Sequence, residues 1–122
     1  MSIWDRVQQK QAQITEEERG DYFITKPHLM KDPQFTQAIN NKEIVDMALA
    51  DDKDSNVNNL SVLVSMMDTG KKQAIYDVAA YIFLIGYISS EVGIKTNNAE
   101  KKEFGSSCLL KTMLLIEEAK RA

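Results

Sequence analysis

The sequence is poor in residues that interrupt helices and in residues that build covalent or metal-bound sites. Its 122 residues include five glycines, two prolines, one cysteine and one histidine. So few helix breakers favour a helical protein. A single cysteine, Cys108, excludes an intramolecular disulfide. With His28 as the single histidine, it also excludes a zinc site of the usual Cys and His ligands within one chain.

Long apolar runs and a strong charge of one sign are also missing. The longest uncharged apolar run, Val78 to Ile88, has eleven residues, whereas a membrane-spanning helix needs about 20. A net charge of −3 gives no general attraction to nucleic acid or anionic lipid. The first residues turn polar before an apolar leader could develop. We therefore expect a cytoplasmic protein with no membrane span.

What the sequence does contain is a set of amphipathic segments around one apolar segment. The length fits one domain, residues 1–122. An apolar run without a polar face must be covered on nearly all sides by other helices. We predict an all-α domain of about five to seven helices around a central helix at about residues 71–92. We expect helices at residues 54–69 and 100–121 to pack on it, and residues 2–14 to form an amphipathic helix with a sparse apolar stripe.

Local signals predict where several helices begin and end. The segment Thr15 to Glu18 reads as a capping box that opens a second helix, which we expect to stop at Gly20. Asp32 followed by Pro33 predicts the start of a third helix. Gly70 suits a left-handed cap. Residues 93–100 are polar and rich in asparagine, so we expect a loop there.

Recognisable catalytic and cofactor motifs are absent from the sequence. No serine lies in a Gly-x-Ser-x-Gly or Ser-x-x-Lys arrangement, and no glycine-rich phosphate loop appears. Residues 52–56 resemble the opening of a calcium loop, but Val57 replaces its glycine and Leu63 its bidentate glutamate. Cys108 on an apolar helix face behaves as a small hydrophobe rather than as a partner of His28. We predict a protein that is not an enzyme and that binds no metal or cofactor.

Three features of the central helix attract attention. Asp77 directly precedes the apolar run and lies one turn before Tyr81, so the two side chains could form a hydrogen bond. Burial would raise the pKa of Asp77. An aromatic stripe of Tyr76, Phe83 and Tyr87 could stack bases, although core packing is commoner. Gly86 costs about 1 kcal/mol in a helix relative to alanine. Close approach of another helix or of a partner would explain that glycine.

By exclusion, the leading hypothesis is a non-enzymatic adaptor or inhibitor that binds a larger protein through helix faces. The last helix has a wider apolar stripe than a surface helix needs, so either two neighbours flank it or part of it meets a partner. Homodimerisation through the same surfaces is nearly as plausible. The candidate partner-binding residues are Trp4, Val7, Leu110, Leu114 and Leu115.

Two alternatives come from other functional classes. A helical subunit of a ribonucleoprotein or DNA-bound assembly would contact phosphates through C-terminal cations, here Lys101, Lys102, Lys111, Lys120 and Arg121. Interleaved glutamates offset those cations, so nucleic acid is possible but not favoured. A small enzyme would use an unrecognised acid site at Asp77 or at Glu16 to Glu18, and it requires a concave pocket around the acid.

Overall fold

The computed structural model describes residues 2–50 and 53–122, without the side chains of residues 53–58. These residues form seven α-helices and one short 3₁₀ helix, and they contain no strand. The prediction of an all-α fold of five to seven helices is confirmed. The calcium-loop hypothesis for residues 52–56 concerns residue 52 and side chains that lie outside the described part of the structure. The helices are α1 (Ile3–Gln13), α2 (Glu16–Thr25), the 3₁₀ helix (Pro27–Lys31), α3 (Pro33–Ile39), α4 (Lys42–Leu49), α5 (Lys53–Met67), α6 (Lys72–Thr96) and α7 (Ala99–Arg121).

The long helix α6 is the centre of the fold. Its residues between Ala74 and Ile82 are buried almost without interruption, because α3, α4, α5 and α7 all pack on it. Its most extensive partner is α7, which runs back along it as the second arm of a hairpin. The prediction of a central hydrophobic helix at about residues 71–92 is therefore confirmed, although the helix extends a further turn.

Polar contacts hold α1 against α7. Arg6 donates to Glu118 with 2.9 Å between Nη2 and Oε2, and Lys10 donates to Glu117 at 3.1 Å. The Gln11 side-chain amide donates to the backbone and the hydroxyl of Ser107. Exposed ion pairs contribute little stability each. Burial of Val7 on the same face of α1 supplies the main apolar contact.

Asp32 connects three elements at the start of α3. Its carboxylate accepts the backbone N–H of Gln34 at 2.9 Å, which is the expected N-cap contact before Pro33. The same carboxylate accepts the hydroxyl of Tyr76 in α6 and lies 3.8 Å from Nζ of Lys120 in α7. The predicted cap therefore also fixes the position of α3 on the central hairpin.

Two of the predicted helix ends are wrong, and both involve glycine. Helix α2 continues through Gly20 to Thr25, because the partly buried Tyr22 and Phe23 pack against the core and offset the cost of glycine. Helix α6 continues through Gly93 to Thr96 and is capped by Asn97, whose φ of 55° is left-handed. A Cβ at Gly93 would lie 2.9 Å from the backbone N of Lys102, so this glycine permits the tight turn into α7. The Thr15 and Gly70 caps are confirmed.

Helix α6 is long and apolar enough, by length and composition, to cross a membrane. Of its most apolar 18-residue window, 39% is buried inside the protein. Core helices of soluble proteins meet the same criterion. The packing of α3, α4, α5 and α7 on α6 accounts for the buried part of that window.

Candidate functional site

Four of the five predicted partner-binding residues belong to the core. Val7, Leu110, Leu114 and Leu115 are each at most 1% exposed. A partner could contact them only if the helices separated, so the expectation that they form an exposed binding face is corrected. The wide apolar stripe of α7 follows from its position between α6 on one side and α1 with the 3₁₀ helix on the other.

The fifth residue, Trp4, is partly buried and lies where α1 faces α5 at the surface. The ammonium of Lys111 lies 5.0 Å from the centre of its ring, a cation–π contact. Trp4 also borders a shallow hollow of about 290 Å³ with Leu60, Ser61 and Val64. Burial lowers the pKa of Lys111. Lys111 therefore covers part of the indole ring.

The five C-terminal cations do not form one basic surface. Lys101 and Lys102 lie in the first turn of α7, whereas Lys120 and Arg121 lie in its last turn, about 28 Å away at the helical rise of about 1.5 Å per residue. Lys111 is engaged with Trp4, and Lys120 lies beside Asp32. A nucleic acid would therefore meet two separated pairs of cations rather than a continuous patch.

A mainly apolar surface depression lies between α6 and α7. Its volume is about 300 Å³ and it is partly open to solvent. We call it the α6–α7 groove. Its lining residues are Phe83, Gly86, Tyr87, Ser90, Lys102, Gly105, Ser106 and Leu109.

Small residues meet where the two helices cross beside the groove. A Cβ at Gly86 would lie 2.4 Å from Cβ of Cys108, and a Cβ at Gly105 would lie 2.7 Å from Cβ of Ser90. Both distances are far below normal carbon–carbon contact. The helices therefore touch through their backbones. The expectation that Gly86 marks close approach is confirmed, with α7 as the approaching helix.

Aromatic side chains form the α6 wall of the groove. Phe83 packs edge-on against Phe35 of α3, with 5.6 Å between ring centres, and its other side stacks with Tyr87 at 6.3 Å. Tyr87 is 57% exposed, whereas Tyr76 in the same predicted stripe is fully buried and bound to Asp32. The groove therefore presents a solvent-facing tyrosine whose neighbour is anchored in the core.

Asp77 lies in a second, more polar depression between α3, α4 and α6. This cleft of about 640 Å³ is lined by Asp77, Ala38 and four carboxamide side chains, those of Gln37, Asn40, Asn41 and Gln73. Asp77 accepts a hydrogen bond from Gln73 at 3.0 Å. Burial, and to a lesser degree the charge of Glu43, raises the pKa of Asp77. The concave setting agrees with the enzyme hypothesis. Among the described residues that line the cleft, however, none is a nucleophile or a second acid.

The other candidate reactive groups are either buried in the core or exposed at the surface. Cys108 is buried at the helix crossing, and burial raises the pKa of its thiol to about 11, the opposite of an activated nucleophile. His28 is exposed in the 3₁₀ helix. Residues 16–18 form the exposed first turn of α2, where acids favour the helix dipole. No group of three or more metal-binding side chains occurs in the part of the chain that the structure describes.

Sequence reasoning missed the groove as a site, although it singled out Phe83, Tyr87 and Gly86. The missing information was the register of α7, which sets Lys102, Gly105, Ser106 and Leu109 opposite them. Comparisons with protein-family models, with curated proteins and with solved structures found no match.

Proposed function

We propose that this protein is a non-enzymatic interaction module, an adaptor or inhibitor that binds a segment of a larger protein in the α6–α7 groove. The observation that carries the proposal is the exposed aromatic wall at Tyr87. Tyrosine is among the residues that dominate binding energy in protein interfaces. Here its ring stacks on Phe83, which the core holds in place. Little side-chain freedom would be lost when a partner covers it.

The size of the groove favours a short partner segment over a second copy of this chain. Phe83 to Ser90 covers seven residue steps, or about 10 Å of helix. A surface of that length across two helices about 10 Å wide each offers about 200 Å². A stable dimer buries about 800 Å² on each partner. Two turns of an amphipathic helix, with apolar anchors on one side, match the groove better.

The proposal can be tested by quantitative affinity capture from a lysate with paired variants. Tyr87→Ala removes an exposed aromatic ring inside the groove. Ile94→Ala removes an apolar side chain that is 66% exposed on the same helix and does not line the groove. We expect Tyr87→Ala to lower recovery of a specific partner about tenfold or more, the loss typical of a binding hot spot. Ile94→Ala should leave recovery unchanged.

A third variant separates loss of the ring from loss of the groove. Ser106 lines the groove and is half-buried, so Ser106→Phe places a ring in the space that the partner would occupy. It should abolish capture while helical circular dichroism and the unfolding midpoint stay near those of the wild type. If the same proteins are recovered with all four forms, the groove is not the binding surface and the proposal is wrong.

A further inference from the structure

The α6–α7 groove has a polar end and an apolar end. The helices run antiparallel, and Gly93 of α6 lies against Lys101 and Lys102 of α7. Gly86 lies against Cys108, nearly two turns further along α7. Lys102 and the hydroxyl of Ser90 therefore belong to the end near the turn between the helices. Phe83 and Leu109 belong to the opposite end.

The residues that line the polar end of the groove carry a single positive charge. Of the eight residues that line the groove, Lys102 is the only one with a charged side chain, and it is exposed. Its Nζ lies 3.5 Å from Oδ1 of Asn97, a long contact with a neutral group, and it forms no ion pair with a carboxylate among the described residues. Ser90 and Ser106 add two hydroxyl groups that can donate hydrogen bonds.

We infer that the partner segment carries a carboxylate, from Asp or Glu, at the end that meets Lys102 and apolar anchors at the end that meets Phe83 and Leu109. This inference rests on the proposed function and adds the orientation and charge of the bound segment. A charge at the rim of an interface selects among partners and sets their register more than it adds affinity. The apolar end supplies the binding energy, and Lys102 determines which way the segment lies.

The test is a selection of displayed two- to four-turn helical peptides, randomised on their surface positions, against the purified protein. Three forms serve as targets: wild type, Lys102→Glu and Lys101→Glu. Lys101 is the neighbouring exposed lysine, makes the same charge change and does not line the groove. Each enriched peptide is then measured for binding to the wild type and to Ser106→Phe, with circular dichroism as the check on folding.

We expect peptides selected on the wild type and on Lys101→Glu to carry Asp or Glu at one end. Peptides selected on Lys102→Glu should carry Lys or Arg there. An individual acidic peptide should bind Lys102→Glu about three- to tenfold more weakly than the wild type, because a weak attraction at an exposed site becomes a weak repulsion.

The outcomes separate the inference from the function on which it rests. Peptides that lose binding to Ser106→Phe but show no acidic preference would overturn the inference and leave the groove as the binding site. Peptides that bind Ser106→Phe as well as the wild type, or a selection that enriches nothing, would overturn both.

Discussion

The crossing of α6 and α7 makes Gly86 a position where alanine should destabilise the protein. Alanine is ordinarily better than glycine inside a helix by about 1 kcal/mol. At Gly86, however, the new Cβ would lie 2.4 Å from Cβ of Cys108 and 3.4 Å from the backbone oxygen of Gly105. Carbon atoms in contact lie about 3.5 to 4.0 Å apart. The helices must therefore separate by about 1 Å along their most extensive interface.

Overpacking of this kind costs about 1 to 3 kcal/mol, and here backbone as well as side chain must move, so we place the cost at the upper end. After subtraction of the gain in helix propensity, Gly86→Ala should lower the free energy of unfolding by about 1 to 2 kcal/mol. The assay is urea unfolding followed by circular dichroism at 222 nm, with linear extrapolation to water.

The matched control is the same substitution at Gly20. That residue lies inside α2, its φ is not positive, and a Cβ there would meet nothing within 4 Å. Gly20→Ala should raise the free energy of unfolding by about 0.4 to 1 kcal/mol. The reasoning would be refuted if Gly86→Ala were as stable as the wild type, or if both substitutions changed stability in the same direction.

Three further predictions concern two partly buried carboxylates and one buried leucine. Asp32→Ala should cost about 2 to 3 kcal/mol in urea unfolding, because it removes the cap of α3 and the acceptor of the Tyr76 hydroxyl, whereas Tyr76→Phe should cost about 1 kcal/mol. Burial alone would raise the pKa of Asp32, but hydrogen bonds from Tyr76 and Gln34 and the charge of Lys120 lower it overall. The ionised Asp32 therefore stabilises the fold, and this stabilisation should be lost as the pH falls below the ordinary pKa of an aspartate. Asp32→Ala should not show that loss. The pKa of Asp77 is raised, so the fold loses stability as the pH rises and Asp77 ionises. The free energy of unfolding of Asp77→Asn should therefore exceed that of the wild type at pH 7 and equal it at pH 3. Leu114→Asp places an unpaired charge in the core and should abolish the helical circular dichroism signal rather than weaken association alone.

The sequence predicted those parts of the fold that depend on local chemistry. The caps at Thr15, Asp32 and Gly70 were found because each uses a side chain or a backbone freedom that acts within a few residues. The ends at Gly20 and Gly93 were predicted wrongly because tertiary contacts decide them. Packing of Tyr22 and Phe23 carries α2 through its glycine, and the start of α7 fills the space beside Gly93.

The candidate site was harder to predict for the same reason. The identity of an apolar residue in a helix does not show whether a neighbouring helix covers it or solvent surrounds it. Leu110 and Leu115 were therefore assigned to a partner although they are core, while Tyr87, which directly follows the buried Gly86, is exposed. The groove depends on the register between α6 and α7, and no periodicity within either helix encodes that register.

The central claim is that another protein occupies the α6–α7 groove, and a photo-crosslinker at position 106 tests it most directly. A benzophenone side chain is too large for this position, so a small diazirine amino acid replaces Ser106, and a second form carries it at Glu17, which is exposed on α2. The account predicts one dominant covalent adduct with another protein from position 106, lost on Tyr87→Ala, and none from position 17. Equal adducts from both positions, or adducts from 106 that survive Tyr87→Ala, would contradict it.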